Sequence, residues 1–150
     1  MKTLFKFFLL FSLIITSQSA LAQNNPDKIV ETFFDNYVNA GASEALNQLY
    51  ASNKWMSRAT DAINSLKSKL EGLNEDFVGP FYGYELIVEK KLSQSFILRS
   101  YLVKYDRQPI RFTFQFYKPD NKWVVHSFQY DGNVGDEIEE AAKLYYLDLD

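Results

Sequence analysis

The hydrophobic periodicity of this chain changes once, at Gly79-Pro80, and that change limits the fold more than any motif does. Before it, apolar residues recur every three to four positions; after it they alternate. The clearest alternation is "PIRFTFQFYK", Pro109 to Lys118, where Ile110, Phe112, Phe114 and Phe116 face one way and Arg111, Thr113, Gln115 and Tyr117 the other. A strand with one face that apolar needs a cover. The order predicts an α+β domain: N-terminal helices packed on a curved four-stranded antiparallel sheet, followed by a C-terminal helix.

The helices have local start and stop signals. Asn25-Pro26-Asp27 combines a capping side chain, a proline for the first helical position and an acid for the first turn. Behind it, Ile29, Val30, Phe33, Phe34, Tyr37 and Val38 form one apolar stripe, which Gly41 ends. Ser43 reads as the cap of a short second helix carrying Leu46, Leu49 and Tyr50. A third helix is expected from about Ser57, with Ala59, Ile63, Leu66, Leu70 and Leu73 on its buried side and Gly72 near its end. Asp136 and Glu139 resemble a capping box for the last helix, whose apolar side is Ile138, Ala141, Ala142 and Tyr145.

Strands are expected over Tyr84 to Leu92, Ser95 to Tyr105, Pro109 to Lys118 and Trp123 to Tyr130. If residues 106 to 108 form a short hairpin loop, Tyr105 pairs with Pro109. Phe96, Leu98, Ser100 and Leu102 then share the core face with the phenylalanines of the third strand. The opposite face would carry Arg99, Tyr101, Tyr105 and Tyr117, an aromatic surface suited to a second copy of the chain or to a protein partner. The fourth strand breaks its own alternation. A turn at Asp120-Asn121 sets Val125 beside Phe116, yet strict continuation would bury Ser127 and expose Phe128. A β-bulge near His126-Ser127 resolves the conflict and lets Trp123, Val125, Phe128 and Tyr130 all point inward.

The ends and the composition bound the setting. Lys2 and Lys6, the apolar run "FFLLFSLII" and "ALA" at Ala20 to Ala22 read as a signal peptide over residues 1–22, cleaved before Gln23. The apolar run is too short to span a bilayer, which takes roughly 20 residues. A single domain over 23–150, periplasmic or secreted, is expected, with no membrane anchor after cleavage. Loss of two lysines takes the net charge from −3 to −5. An acidic chain without a basic cluster speaks against nucleic acid as a partner. The absence of cysteine removes disulfides, thiolate nucleophiles and cysteine-based metal sites.

Element order, length and strand patterning, with "ETFFDNYVNAG" in the first helix and "FTFQFYKPDNKWVVHSFQ" in the last hairpin, resemble the nuclear transport factor 2-like superfamily of cystatin-like α+β cones. The resemblance covers Pro26 to Tyr130. It implies a cone closed by helices; the superfamily includes ketosteroid isomerase, dehydratases and polyketide cyclases beside non-catalytic binding and assembly domains. Its catalytic carboxylates have no matching position here, so none is carried over.

His126, the only histidine, is the one candidate catalytic base. Ser127 follows it directly and faces away from it in a strand, which argues against a nucleophile pair. One histidine without cysteine makes no zinc set, and "DGNVGDE" lacks the acids and glycine of a calcium loop, so no metal or cofactor is expected. A cone lined by Phe34, Tyr37, Trp55, Phe114 and Phe128 could hold a small apolar ligand; the competing reading is that these rings are simply core. The leading expectation is a non-enzymatic exported domain acting by small-ligand binding or protein association. The alternatives are an isomerase, dehydratase or cyclase of the ketosteroid-isomerase-like type, and a structural homodimer.

Overall fold

The computed structural model describes residues 25 to 145, so the signal segment expected over 1–22 lies outside the described residues. Helix α1 spans Pro26–Asn39, α2 Ala42–Ala51, a 3-10 helix Lys54–Arg58, α3 Thr60–Glu71 and the short α4 Glu75–Val78. Strands β1 (Phe81–Ser93), β2 (Phe96–Tyr105), β3 (Pro109–Tyr117) and β4 (Val124–Asp131) follow, then α5 (Val134–Tyr145). The strands pair in sequence order as one antiparallel sheet. The expected α+β class is the observed one.

The start of α1 forms as its residues dictate. The Asn25 side chain accepts from the Asp27 N–H, and Pro26 opens the helix. One turn apart on the same stripe, Val30, Phe33 and Phe34 are buried against the sheet. The rings interlock: Phe33 lies 5.1 Å from Phe114 and 5.1 Å from Phe128, and Phe34 stacks on Tyr84 at 3.6 Å. Each such buried ring contributes about 1.5–3 kcal/mol. The short α4 and the 3-10 helix have no apolar period to betray them. They are built by caps instead, from the Asn74 and Asn53 side chains.

Register is where expectation and structure part. Lys104, not Tyr105, is the partner of Pro109, so four residues, 105 to 108, separate the last paired positions of β2 and β3. The backbone of that connection bonds elsewhere: Asp106 N–H donates to Pro80 O at 3.0 Å and Arg107 N–H to Val78 O at 2.9 Å. The one-residue shift inverts β2. Ile97, Arg99, Tyr101 and Val103 share the helix-covered face with Phe112, Phe114 and Phe116, while Phe96, Leu98, Ser100 and Leu102 face outward. Ser100 bonds Thr113 at 2.8 Å on that outer face.

The bulge in β4 is where the broken alternation puts it. Gln115 pairs with Ser127 and Phe116 with Val125, leaving His126 as the extra residue. Val125 and Phe128 are buried, with Trp123 and Tyr130 packed on the core. A further irregularity at Ile87 in β1 turns Glu89 to the helix side, where it meets Arg99. On α5, Ile138 is 69% exposed and both alanines are exposed, so the expected apolar side is not packed; the Tyr145 side chain lies outside the described set. The helix is tied to the sheet by Arg111, which bonds Asp131 and also pairs with Glu137.

Candidate functional site

The interior between the helices and the sheet is filled. Phe114 is fully buried and has Phe116, Phe128, Phe33 and Tyr101 around it, so no room remains beneath the helices at that level. A cleft opens at one end of the sheet, where β1 begins and β2 ends; shallower hollows lie between α1 and α2 and between α2, the 3-10 helix and α3. Tyr37 lies one turn beyond Phe33 on α1 and therefore reaches past the last layer of phenylalanines. Tyr105 is the last residue of β2. Their hydroxyls meet at 2.7 Å.

Phe81, paired with Tyr105 across the strands, completes a corner of three rings. Its centroid is 6.3 Å from Tyr37 at an interplanar angle of 60°, and 5.9 Å from Tyr105 at 71°. These rings line a cleft of about 350 Å³ whose other walls include Ala42, Leu70 and Leu73, with Asn74, Gly79 and Pro80. A second hollow of about 420 Å³ shares Leu73 and continues along Phe77, Ile110 and Tyr130.

The rim is held by glycine geometry. Gly79 has φ +82°, and a Cβ there would lie 2.7 Å from the Asp106 Cβ. Only a residue without a side chain lets the chain from α4 to β1 pass so close to the β2–β3 connection. The two backbone bonds from Asp106 and Arg107 then fix that crossing.

Burial is the main reason the Tyr105 phenol is held far above its ordinary pKa; repulsion from an ionised Tyr37 and the bond to it add to this. Tyr37 is raised by burial as well, partly offset by the bond from Tyr105. Both phenols are therefore neutral at physiological pH. One O–H bridges the pair, and the second is not spent on it. Glu71 and Glu75 also line the cleft, with the Ser43 hydroxyl donating to Glu71 Oε1 at 2.5 Å. No lysine or arginine stands among the described residues lining it.

Of the five residues expected to line a ligand site, Tyr37 alone is in this cleft. Phe34, Phe114 and Phe128 are buried core, because the rings of α1 pack directly on the sheet. Trp55 is 58% exposed on the 3-10 helix, flanked by Arg58 and Lys54 over its ring. The expected interface set also divides. Tyr101 and Tyr105 are buried on the core face, and Arg99 faces the helices too, bonding Glu89 at 2.7 Å and Asp27 at 2.6 Å. Only Tyr117 remains on the outer face.

His126 is exposed, and its ring meets Phe96 edge to face at 5.5 Å on the outer side of the sheet. It is thus separated from the cleft by the sheet itself. Sequence reasoning missed Phe81 and Tyr105 as cleft residues. The signal for Phe81 was its place directly after Gly79-Pro80; that for Tyr105 was inverted by the register.

Compared with protein-family models, curated proteins and solved structures, the chain matches none of them.

Proposed function

We propose that this chain is an exported domain of the nuclear transport factor 2-like type that works by binding a small ligand at the mouth of its cone. The observation that carries the reading is the buried Tyr37–Tyr105 hydroxyl pair at the base of an open apolar cleft. A pair of phenols linked by one hydrogen bond keeps a donor and lone pairs for a third group. The cleft volume falls at the small end of ligand sites, roughly 300–1,000 Å³. An apolar body against Leu70, Leu73 and Phe81, with one polar atom at the phenols, suits it.

Proton-transfer chemistry is less well supported. A phenol raised by burial is a poor acid near neutrality, and the one histidine lies across the sheet. Export rests on the pattern of residues 1–22, and its test is the mass of the N-terminus in a periplasmic extract: a chain starting at Gln23 is expected, and an intact Met1 in the cytoplasm overturns it.

The binding reading is tested by NMR titration with a set of neutral aromatic and aliphatic alcohols and ketones. Shifts should cluster at Tyr37, Leu73, Phe81 and Tyr105, and Tyr37→Phe should weaken them. Shifts confined to other surfaces, or none at millimolar ligand, would remove the proposal.

A further inference from the structure

From the cleft lining we infer that the ligand is an organic ammonium: an apolar body carrying a protonated or quaternary amine, seated against Tyr37, Phe81 and Tyr105 beside Glu71 and Glu75. This deepens the binding reading above and rests on it. Three observations converge. First, Tyr37, Phe81 and Tyr105 pack edge to face around one corner and all three line the cleft, so aromatic surface bounds the same volume on three sides. An ammonium group is attracted by the face of such a ring, where the quadrupole is negative, and is held where it can lie over one. Second, the lining carries two carboxylates and, among the described residues, no cation. Third, basic side chains of the adjoining segments stand outside the lining. Lys69 lines the neighbouring hollow, and Arg107 donates to the Phe77 carbonyl at 3.1 Å with its guanidinium over the Phe77 ring.

The polar atoms agree with that charge. The phenol oxygens accept hydrogen bonds as readily as they donate them, so a primary ammonium can place an N–H on the pair. A carboxylate ligand would meet Glu71 and Glu75 with like charge and find one free O–H at most. Ser43 holds Glu71 from the side by its own hydroxyl, which fixes the carboxylate at the rim rather than letting it swing into solvent. A charge about 6 Å away in water changes affinity about threefold, so two carboxylates together give about tenfold.

The experiment uses three probes of matched size: phenethylamine, 2-phenylethanol and 3-phenylpropionate. Each is titrated by NMR into protein purified after expression of the whole chain. The ammonium should bind about tenfold tighter than the alcohol, with the carboxylate weakest, and the preference should shrink as salt is raised. Glu71→Gln and Glu75→Gln should each weaken phenethylamine about threefold while leaving 2-phenylethanol unchanged. The glutamine variants keep side-chain length and a hydrogen-bonding group for Ser43, and circular dichroism confirms that they fold. If the alcohol binds at Tyr37 and Phe81 but the ammonium binds no tighter, the ammonium inference is wrong and the cleft remains a ligand site. If none of the three shifts the cleft residues, the ligand-binding reading falls with it. A preference that survives in Glu71→Gln/Glu75→Gln at full strength also overturns the assignment of the carboxylates.

Discussion

Gly79 and Tyr105 are adjacent in space and matter for different reasons. At φ +82° with an extended ψ, the Gly79 backbone lies where L side chains are strained by about 1–3 kcal/mol. The Asp106 Cβ blocks the added methyl as well. Gly79→Ala should lower stability by about 2 kcal/mol or more, read as a fall in urea midpoint at constant m; a loss under 0.5 kcal/mol would mean that the crossing relaxes freely. Tyr105 makes a pH prediction. The fold holds its phenol protonated, above all through burial, whereas the unfolded chain releases that proton near pH 10. Alkali therefore favours the unfolded state. Stability from this group is intact below about pH 10 and is lost as pH rises beyond it. Tyr105→Phe should cost about 1 kcal/mol at pH 7 for the lost bond, and its thermal midpoint should fall less between pH 9 and about 11 than that of the wild type. An equal slope in both would assign the alkaline loss to other tyrosines.

At the scale of elements, β4 shows how an edge strand is protected. The Val125 N–H donates to Ser52 Oγ at 3.1 Å and its carbonyl accepts from Asn53 Nδ2 at 2.8 Å. These side chains satisfy backbone groups beside the bulge, where the ladder is interrupted. Asn53 also caps the 3-10 helix, since its Oδ1 accepts from the Trp55 N–H at 3.1 Å. Asn53→Ala removes both bonds and should destabilise by about 2 kcal/mol, with faster amide exchange in β4 before β1. A change below 0.5 kcal/mol would show that water replaces the side chain at no cost. The bulge itself was legible in the sequence, because Ser127 and Phe128 conflict with strict alternation within a few residues of one another. The register of β2 was not. It depends on the backbone of Asp106 and Arg107 bonding to Val78 and Pro80, far back in the chain, and local patterning carries no trace of that. Since the side-chain period is two, one residue of error moved Tyr105 from the cleft to the outside and hid the site.

For the whole molecule, the consequence is a clean separation between the face that holds the fold together and the face left open. Tyr101 is 7% exposed and packs on Phe34 and Phe114, so its position tests the fold and says nothing about partners. Tyr101→Glu would replace a ring packed on Phe34 and Phe114, whose hydroxyl bonds Arg99, by a shorter charged side chain; loss of such a buried ring costs about 3–5 kcal/mol and should leave the chain unfolded by near-ultraviolet circular dichroism. Tyr117, 43% exposed on the opposite side, is the informative position for self-association. Around it the outer face offers Phe96 at 6.5 Å, with Leu98 and Leu102 further along β2, all partly buried side chains. Tyr117→Glu should keep the thermal midpoint within a few degrees, as surface substitutions do. Sedimentation of that variant beside the wild type then separates two architectures. Equal coefficients at equal concentration would show that the Tyr117 face does not join copies. A slower coefficient for the variant alone would mean that the outer sheet face is buried between copies.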